Sequence, residues 1–140
     1  GSYSKQRFRV RRDNDMTGEN TVLMKHRPQM TRKPLEKCHG GVGALDWINV
    51  LGGEDLKGRR LRFVHDDILP PGVSIGVHPH TQDEEYYYIL SGKGTMTLND
   101  QCLEVSVGDI TAVFPGGKHG LANTGTEDLR VIVLSVAASV

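Results

Sequence analysis

From Gly40 onward the chain is written in short apolar or alternating runs separated by turn residues, a pattern with period 2 that predicts strands. Segments 44–51, 60–65, 73–78, 85–90, 94–98, 102–107, 111–114 and 130–136 are the candidates. The punctuation between them is strong: Gly52-Gly53, Pro70-Pro71-Gly72, Ser91-Gly92, Asn99-Asp100, Gly108-Asp109, Pro115-Gly116-Gly117 and Asn123-Thr124-Gly125. No stretch of 12 or more residues in this region shows a helical stripe. Many short strands joined by Gly/Pro turns predict an all-β fold. The expected form is a sandwich or barrel, specifically a double-sheet jelly roll whose mouth can hold a ligand.

Before Gly40 the character is different. Residues 1–39 are polar and basic, with Arg7, Arg9, Arg11, Arg12, Lys25, Arg27, Arg32 and Lys33, broken by Pro28 and Pro34 and without sustained periodicity. They read as an N-terminal basic arm, either a solvated tail or a strand laid on a neighbouring subunit; residues 40–140 read as the barrel domain. At 140 residues a single core is expected. The 17 Lys+Arg balance the 17 Asp+Glu, so the whole molecule has no electrostatic reason to seek nucleic acid or membrane. The arm lacks the interleaved aromatics that stack on bases. With no apolar stretch of signal or membrane type, a cytoplasmic location is expected. Cys38 and Cys102 show no metal-ligand spacing and read as free thiols.

Chemistry concentrates in one run. Side chains two apart on a strand share a face, so His78 and His80 can grip one ion from adjacent inward positions. Glu85 opens the next strand, and His119 sits in a second glycine-rich turn, Gly116-Gly-Lys-His119. Imidazoles and a carboxylate without thiolate suit a divalent transition metal (Mn, Fe, Ni, Co or Zn) and argue against a structural zinc site of the Cys type. Glu85 is preferred to Glu84 because it leaves six residues before Gly92 and shares a face with Tyr87 and Ile89. Glu84 and Asp83 read as solvated acids at the barrel rim.

These spacings resemble the cupin superfamily, specifically its small single-domain metal-binding members. The first family motif, G-x5-H-x-H-x(3,4)-E-x6-G, is matched by Gly72, His78, His80, Glu85 and Gly92. The second, G-x5-P-x-G-x2-H-x3-N, is matched by Gly108, Gly116, His119 and Asn123. There Phe114 stands where the family has proline, and Pro115 follows by one place. The resemblance implies a double-stranded β-helix barrel with His78, His80, Glu85 and His119 as ligands to one ion. It also implies an enzyme acting on a small oxygenated molecule, a sugar, keto acid or hydroxy acid, by isomerase, decarboxylase, lyase or dioxygenase chemistry. The alternative is a non-catalytic module that binds or senses a small molecule with the metal's help.

Glu85, Tyr87 and His65 are the candidates for moving protons, with His65 alternatively a rim or interface histidine. His26 and His39 are expected to be exposed in the arm, Trp47 to be core or interface, and Asn123 to shape its turn. Ser91-Gly-Lys-Gly-Thr95 lacks the first glycine of a phosphate loop and joins two strands. A homodimer is expected, since a small barrel often covers an outer sheet face with its twin.

Overall fold

A computed structural model describes residues 21–139. It contains ten strands: β1 (Thr31–Glu36), β2 (Ala44–Gly52), β3 (Leu61–Leu69), β4 (Ser74–Pro79), β5 (Asp83–Ser91), β6 (Lys93–Leu98), β7 (Gln101–Ser106), β8 (Ile110–Val113), β9 (Lys118–Ala122) and β10 (Leu129–Ala137). Short 3-10 turns occupy Arg27–Gln29, Cys38–Gly40 and Gly53–Leu56. Two antiparallel sheets result, one ordered β1-β2-β3-β10-β5-β8 and the other β4-β9-β6-β7. Packed face to face, they make the all-β double-stranded β-helix expected from the turn punctuation.

The strand pattern departs from the sequence reading in two places. Thr31–Glu36, within the stretch assigned to the arm, is an edge strand paired with β2 from Thr31↔Asn49 to Glu36↔Ala44. Its polar side chains hid it: five of its six residues are exposed, as an edge strand allows. Residues 1–20, the remainder of the arm, lie outside the described residues. The second departure is β9, which turns His119 from a loop residue into a strand residue opposite His78.

The space between the sheets is divided by polarity. Leu45, Leu69, Ile75, Ile89, Met96, Leu121, Leu129, Val131 and Val133 form a continuous buried core. Moving along the inner face of β5 the side chains become polar, from Ile89 through Tyr87 to Glu85 and Asp83, all buried. The β3 face changes likewise, from Leu69 through Asp67 to His65, before the row returns to an apolar residue at Phe63. One half of the barrel interior is thus an apolar plug and the other a polar chamber. Asn123 closes the plug end: its Nδ2 donates to the carbonyls of Leu69 and Glu127, and its Oδ1 accepts from Gly125 N–H. This is the turn-shaping role its motif position suggests.

Gly92 makes the β5–β6 turn possible. Its φ is +81°, and an added Cβ would lie 2.3 Å from the Asp128 carbonyl oxygen. Gly108 has a similar φ of +89°, but open space where its Cβ would be. Gly108→Ala should therefore cost only the backbone strain, about 1 kcal/mol, whereas Gly92→Ala adds a backbone clash and should cost about 3 kcal/mol. Urea unfolding of the two variants should show this ranking; equal midpoints would contradict it.

Candidate metal centre

Three strands from both sheets deliver the cluster. β4 carries His78, the residue that follows its end is His80, β5 carries Glu85, and β9 carries His119. Strict alternation along β4 would not place both histidines inside, because Ile75 also faces the core and lies an odd number of residues from His78. A break in the β4–β9 register between Ile75 and His78 resolves this. The irregularity re-aims the strand, as a β-bulge does, leaving Val77 outside and turning His78 and His80 inward.

The four side chains are buried, and their ligand atoms lie within 4.8 Å of one another. His80 Nε2 stands 3.0 Å from His119 Nε2, and Glu85 Oε1 stands 3.4 Å from the former and 3.2 Å from the latter. Two ligands at right angles on an ion with bonds of about 2.1 Å are separated by about 3.0 Å, so the spacing suits a shared cation.

The outer hydrogen bonds show which ring atoms are bare. His78 Nδ1–H donates to the Gly76 carbonyl at 2.7 Å, leaving Nε2 buried with no hydrogen-bond partner. His80 Nδ1–H donates to Asp83 Oδ1 at 2.8 Å, which points its Nε2 lone pair into the cluster. This second hydrogen bond fixes tautomer and ring orientation, as carboxylates behind metal-bound histidines do. On these two rings the nitrogen facing the cluster carries a lone pair without a proton, and with Glu85 and His119 they make a donor set that fits a divalent transition metal. Burial also pushes His78 down to about 4, with the Gly76 hydrogen bond only partly opposing it, so its ring is neutral and ready to bind at neutral pH.

Several residues differ from their sequence-based expectations. Asp83 is buried, not a solvated rim acid. Ser135 Oγ–H donates to its Oδ2 at 2.7 Å, and Arg62 pairs with the same oxygen. Burial raises the Asp83 carboxyl, but Ser135, His80 and Arg62 outweigh it and hold it below the usual range. Glu84, by contrast, sits on the other face and accepts a hydrogen bond from Tyr86 O–H. His39 is not a free arm residue: its ring stacks on His78 with centroids 3.5 Å apart and planes within 10°. The backbone holds it there, with His39 at φ +50° and Gly41 and Gly76 so close that neither accommodates a Cβ. The signal for Asp83 was available in sequence, since it lies three residues after His80. Nothing local announces His39, whose approach depends on packing between β4 and the turn before β2.

The three proton-transfer candidates separate. Glu85 belongs to the cluster. Tyr87 is fully buried beside it, its ring centroid 4.6 Å from that of His119, and burial raises its phenol well above the ordinary value. His65 lies two strands away across β10, stacked on Phe63, and its Nδ1 accepts a hydrogen bond from Trp47 Nε1–H at 3.2 Å. Burial lowers His65 to about 4, keeping it neutral. Trp47 packs against the core, as one of its two expected roles required, with Lys33 over its ring.

Comparison with known proteins places this architecture. The cupin domain family matches residues 66–135, half of the chain and both motifs. The protein belongs to the cupin family. An oxalate-binding protein of Thermotoga maritima is 29% identical over 118 residues, covering 84% of this chain and 97% of that one. A crystal structure from the same organism, described as a predicted oxalate decarboxylase, superposes with a TM-score of 0.76 at 28% identity, over 82% of this chain and 99% of that one. KdgF from Halomonas shares the fold, with a TM-score of 0.65 at 15% identity, over 83% of this chain and 94% of that one. Among the described residues no helix is long and apolar enough to cross a membrane.

Two measurements follow from this geometry. Removing a first ligand by His119→Ala should abolish tight binding of one divalent transition metal per chain. Asp83→Asn should weaken it by about 10- to 100-fold through loss of ring positioning, and His26→Ala should leave it unchanged. Metal titration with competing chelators reads all three, and unaltered affinity in His119→Ala would contradict the ligand set.

Asp67 generates the second. Burial, and secondarily the charges of Asp66, Glu85 and Asp46, push its carboxyl up to about 8. Its folded value thus exceeds its unfolded value of about 4. The associated stability is fully present below pH 4 and is lost as pH rises toward 8. Asp67→Asn in the metal-free protein should therefore match the parent at pH 4 and be more stable by about 1–3 kcal/mol at pH 7.5. Denaturant unfolding at both pH values checks this; a constant difference would not fit.

Proposed function

We propose that this cupin holds one divalent transition-metal ion through His78, His80, Glu85 and His119 and acts on a small oxygenated acid that chelates it. The buried three-His, one-Glu cluster with bare inward lone pairs is the observation that carries this reading. Relatives described as oxalate-binding and as a predicted oxalate decarboxylase, similar over most of their length, support a small carboxylate as the ligand. When bound, the metal would supply Lewis-acid polarisation of a carboxylate or carbonyl oxygen.

The chain's own residues set the rest of the chemistry. Asp83 and the Gly76 carbonyl orient the rings of His80 and His78, and His39 covers the outer side of the His78 ring. Tyr87, protonated at neutral pH, can present its hydroxyl as a hydrogen-bond donor to a developing oxyanion beside His119. Glu85 serves as ligand, which removes its lone pairs from general-base duty. His65, held neutral by burial with Nδ1 engaged by Trp47, lies two strand spacings from β5 across β10, about 10 Å, which leaves it without a direct proton path to Glu85. The catalytic assignment thus narrows to Tyr87 as donor, with His65 on the inner face of β3.

A binding module is the second reading, favoured by the relative described as oxalate-binding. The two separate in one experiment. Metal-loaded protein incubated aerobically and anaerobically with oxalate, keto acids and hydroxy acids should yield product for an enzyme, with turnover abolished by chelation and restored by metal. Saturable binding without product would select the module, and binding that persists undiminished in chelator would overturn the metal-dependent reading altogether.

The outer face of β5 and β8 supports a homodimer. Tyr88, Leu90, Ile110 and Phe114 are exposed there, with Val107 nearby, apolar side chains that a second copy could cover. Light scattering should report a dimer for the parent and a monomer for Ile110→Asp; a monomeric parent at micromolar concentration excludes it.

A further inference from the structure

The polar chamber contains more unpaired atoms than the metal cluster accounts for. Among the described residues, the buried side-chain atoms without a hydrogen-bond partner are Asn49 Oδ1, Asp67 Oδ1, Thr111 Oγ1, His78 Nε2 and His119 Nδ1. His78 Nε2 faces the cluster, His119 Nδ1 is the outer nitrogen of a cluster ring whose Nε2 faces inward, and Thr111 pairs with Tyr87 next to it. Asn49 and Asp67 lie elsewhere. Folded proteins rarely leave such atoms unpaired without a ligand or water to meet them.

Register locates them. Asn49 is opposite His65, His65 opposite Val133, and Val133 opposite Tyr87. Paired residues point to the same face of a sheet, and Val133 and Tyr87 are core residues, so the whole row faces inward. Asp67 occupies the next row, opposite Trp47 and Val131, and is itself buried with 5% exposure. These side chains occupy the β2–β3 side of the same interior that holds the cluster.

Their chemistry is mixed and neutral. Asn49 Oδ1 accepts. His65, whose Nδ1 accepts from Trp47, carries its proton on Nε2 and so offers a donor. Asp67, protonated by burial at neutral pH, can both donate and accept. The cation in this register, Lys33, is exposed and lies over the Trp47 ring. Among the described residues no hydrogen bond or ion pair brings a Lys or Arg side chain to Asn49, His65 or Asp67, whereas hydroxyl groups, which donate and accept together, complement the set.

We propose that Asn49, His65 and Asp67 form a recognition subsite for the hydroxylated tail of an acid whose carboxylate end chelates at the His78, His80, Glu85 and His119 cluster. This rests on the chelation reading above and adds the ligand's size and character. β3 lies two strand spacings from β5, about 10 Å, so oxalate, filling only the chelating end, does not reach the subsite. A polyhydroxy acid of several carbons does.

Calorimetry on the metal-loaded protein with oxalate, gluconate and 2-hydroxyhexanoate tests it, since the last two share a 2-hydroxy-acid head and differ in tail polarity. Gluconate should bind roughly tenfold or more tightly than 2-hydroxyhexanoate. His65→Phe and Asp67→Leu should each reduce that preference severalfold, leaving oxalate affinity and metal content unchanged, while Asp67→Asn should retain most of it. Equal affinity for gluconate and 2-hydroxyhexanoate in the parent overturns the subsite, and the parent measurement is independent of how any variant folds. A preference that survives undiminished in both His65→Phe and Asp67→Leu overturns the assignment to these residues. If none of the three acids binds, the chelation reading itself falls, and the subsite with it.

Discussion

The structure is organised around an electrostatic conflict in its interior: three imidazoles and a carboxylate, all buried, directed at one another. His80 Nε2 and His119 Nε2 approach to 3.0 Å, and Glu85 Oε1 is close to both. Lone pairs so arranged repel unless a proton or a cation lies among them, and burial magnifies the repulsion. The surrounding fold therefore has two tasks. It must hold the rings against their mutual repulsion, and it must keep the proton off the inward nitrogens. The Gly76 carbonyl and the Asp83 carboxylate do both, by accepting from the opposite ring nitrogen of His78 and of His80. Ser135 and Arg62 in turn keep Asp83 ionised, which extends the network to the rim.

Backbone geometry makes this arrangement reachable. β4 must contribute Ile75 to the apolar plug and His78 to the cluster, with His80 just past its end, and simple alternation cannot place both Ile75 and His78 inside. The register break between Ile75 and His78 supplies the missing phase shift. It also brings the strand against the turn at Cys38–Gly40, where Gly76 and Gly41 meet with no room for side chains. That close approach is what seats His39 on His78. A left-handed His39 is an unfavourable conformation for a residue with a Cβ, tolerated because packing on both sides fixes it.

Much of this was legible in the sequence, for reasons specific to strands. Motif spacing and period-2 alternation identified the four cluster residues, and the same parity separated Glu85 from Glu84: the former lies inside with Tyr87 and Ile89, the latter outside with Tyr86. Turn residues located eight of the strands within a few positions. What escaped was whatever depends on contacts distant in sequence. β1 is recognisable only by its pairing with β2, because an edge strand with exposed side chains carries no hydrophobic alternation. β9 was masked by the glycines before it. Asp83 was misplaced because its neighbours in sequence are polar, while its partners Ser135 and Arg62 arrive from β10 and β3. His39 is the extreme case, its role created entirely by a backbone contact.

The division of the interior into plug and chamber lets stability and function draw on different residues. Burial of Met96, Leu121, Leu129 and Val131 at one end holds the two sheets together, and the buried Asn123 there has its side-chain hydrogen bonds met. The other end can then carry unpaired atoms, a neutral buried acid and clustered histidines, each of them destabilising in isolation. Asp67 stands at the boundary, one row from Leu69 and one from His65, where an apolar side chain would extend the plug at no cost in hydrogen bonding. A protein selected for stability alone has no reason to place a carboxyl there. Retaining a group that must be neutralised to be buried, with an oxygen left facing the interior, is the mark of a wall built for what the chamber holds.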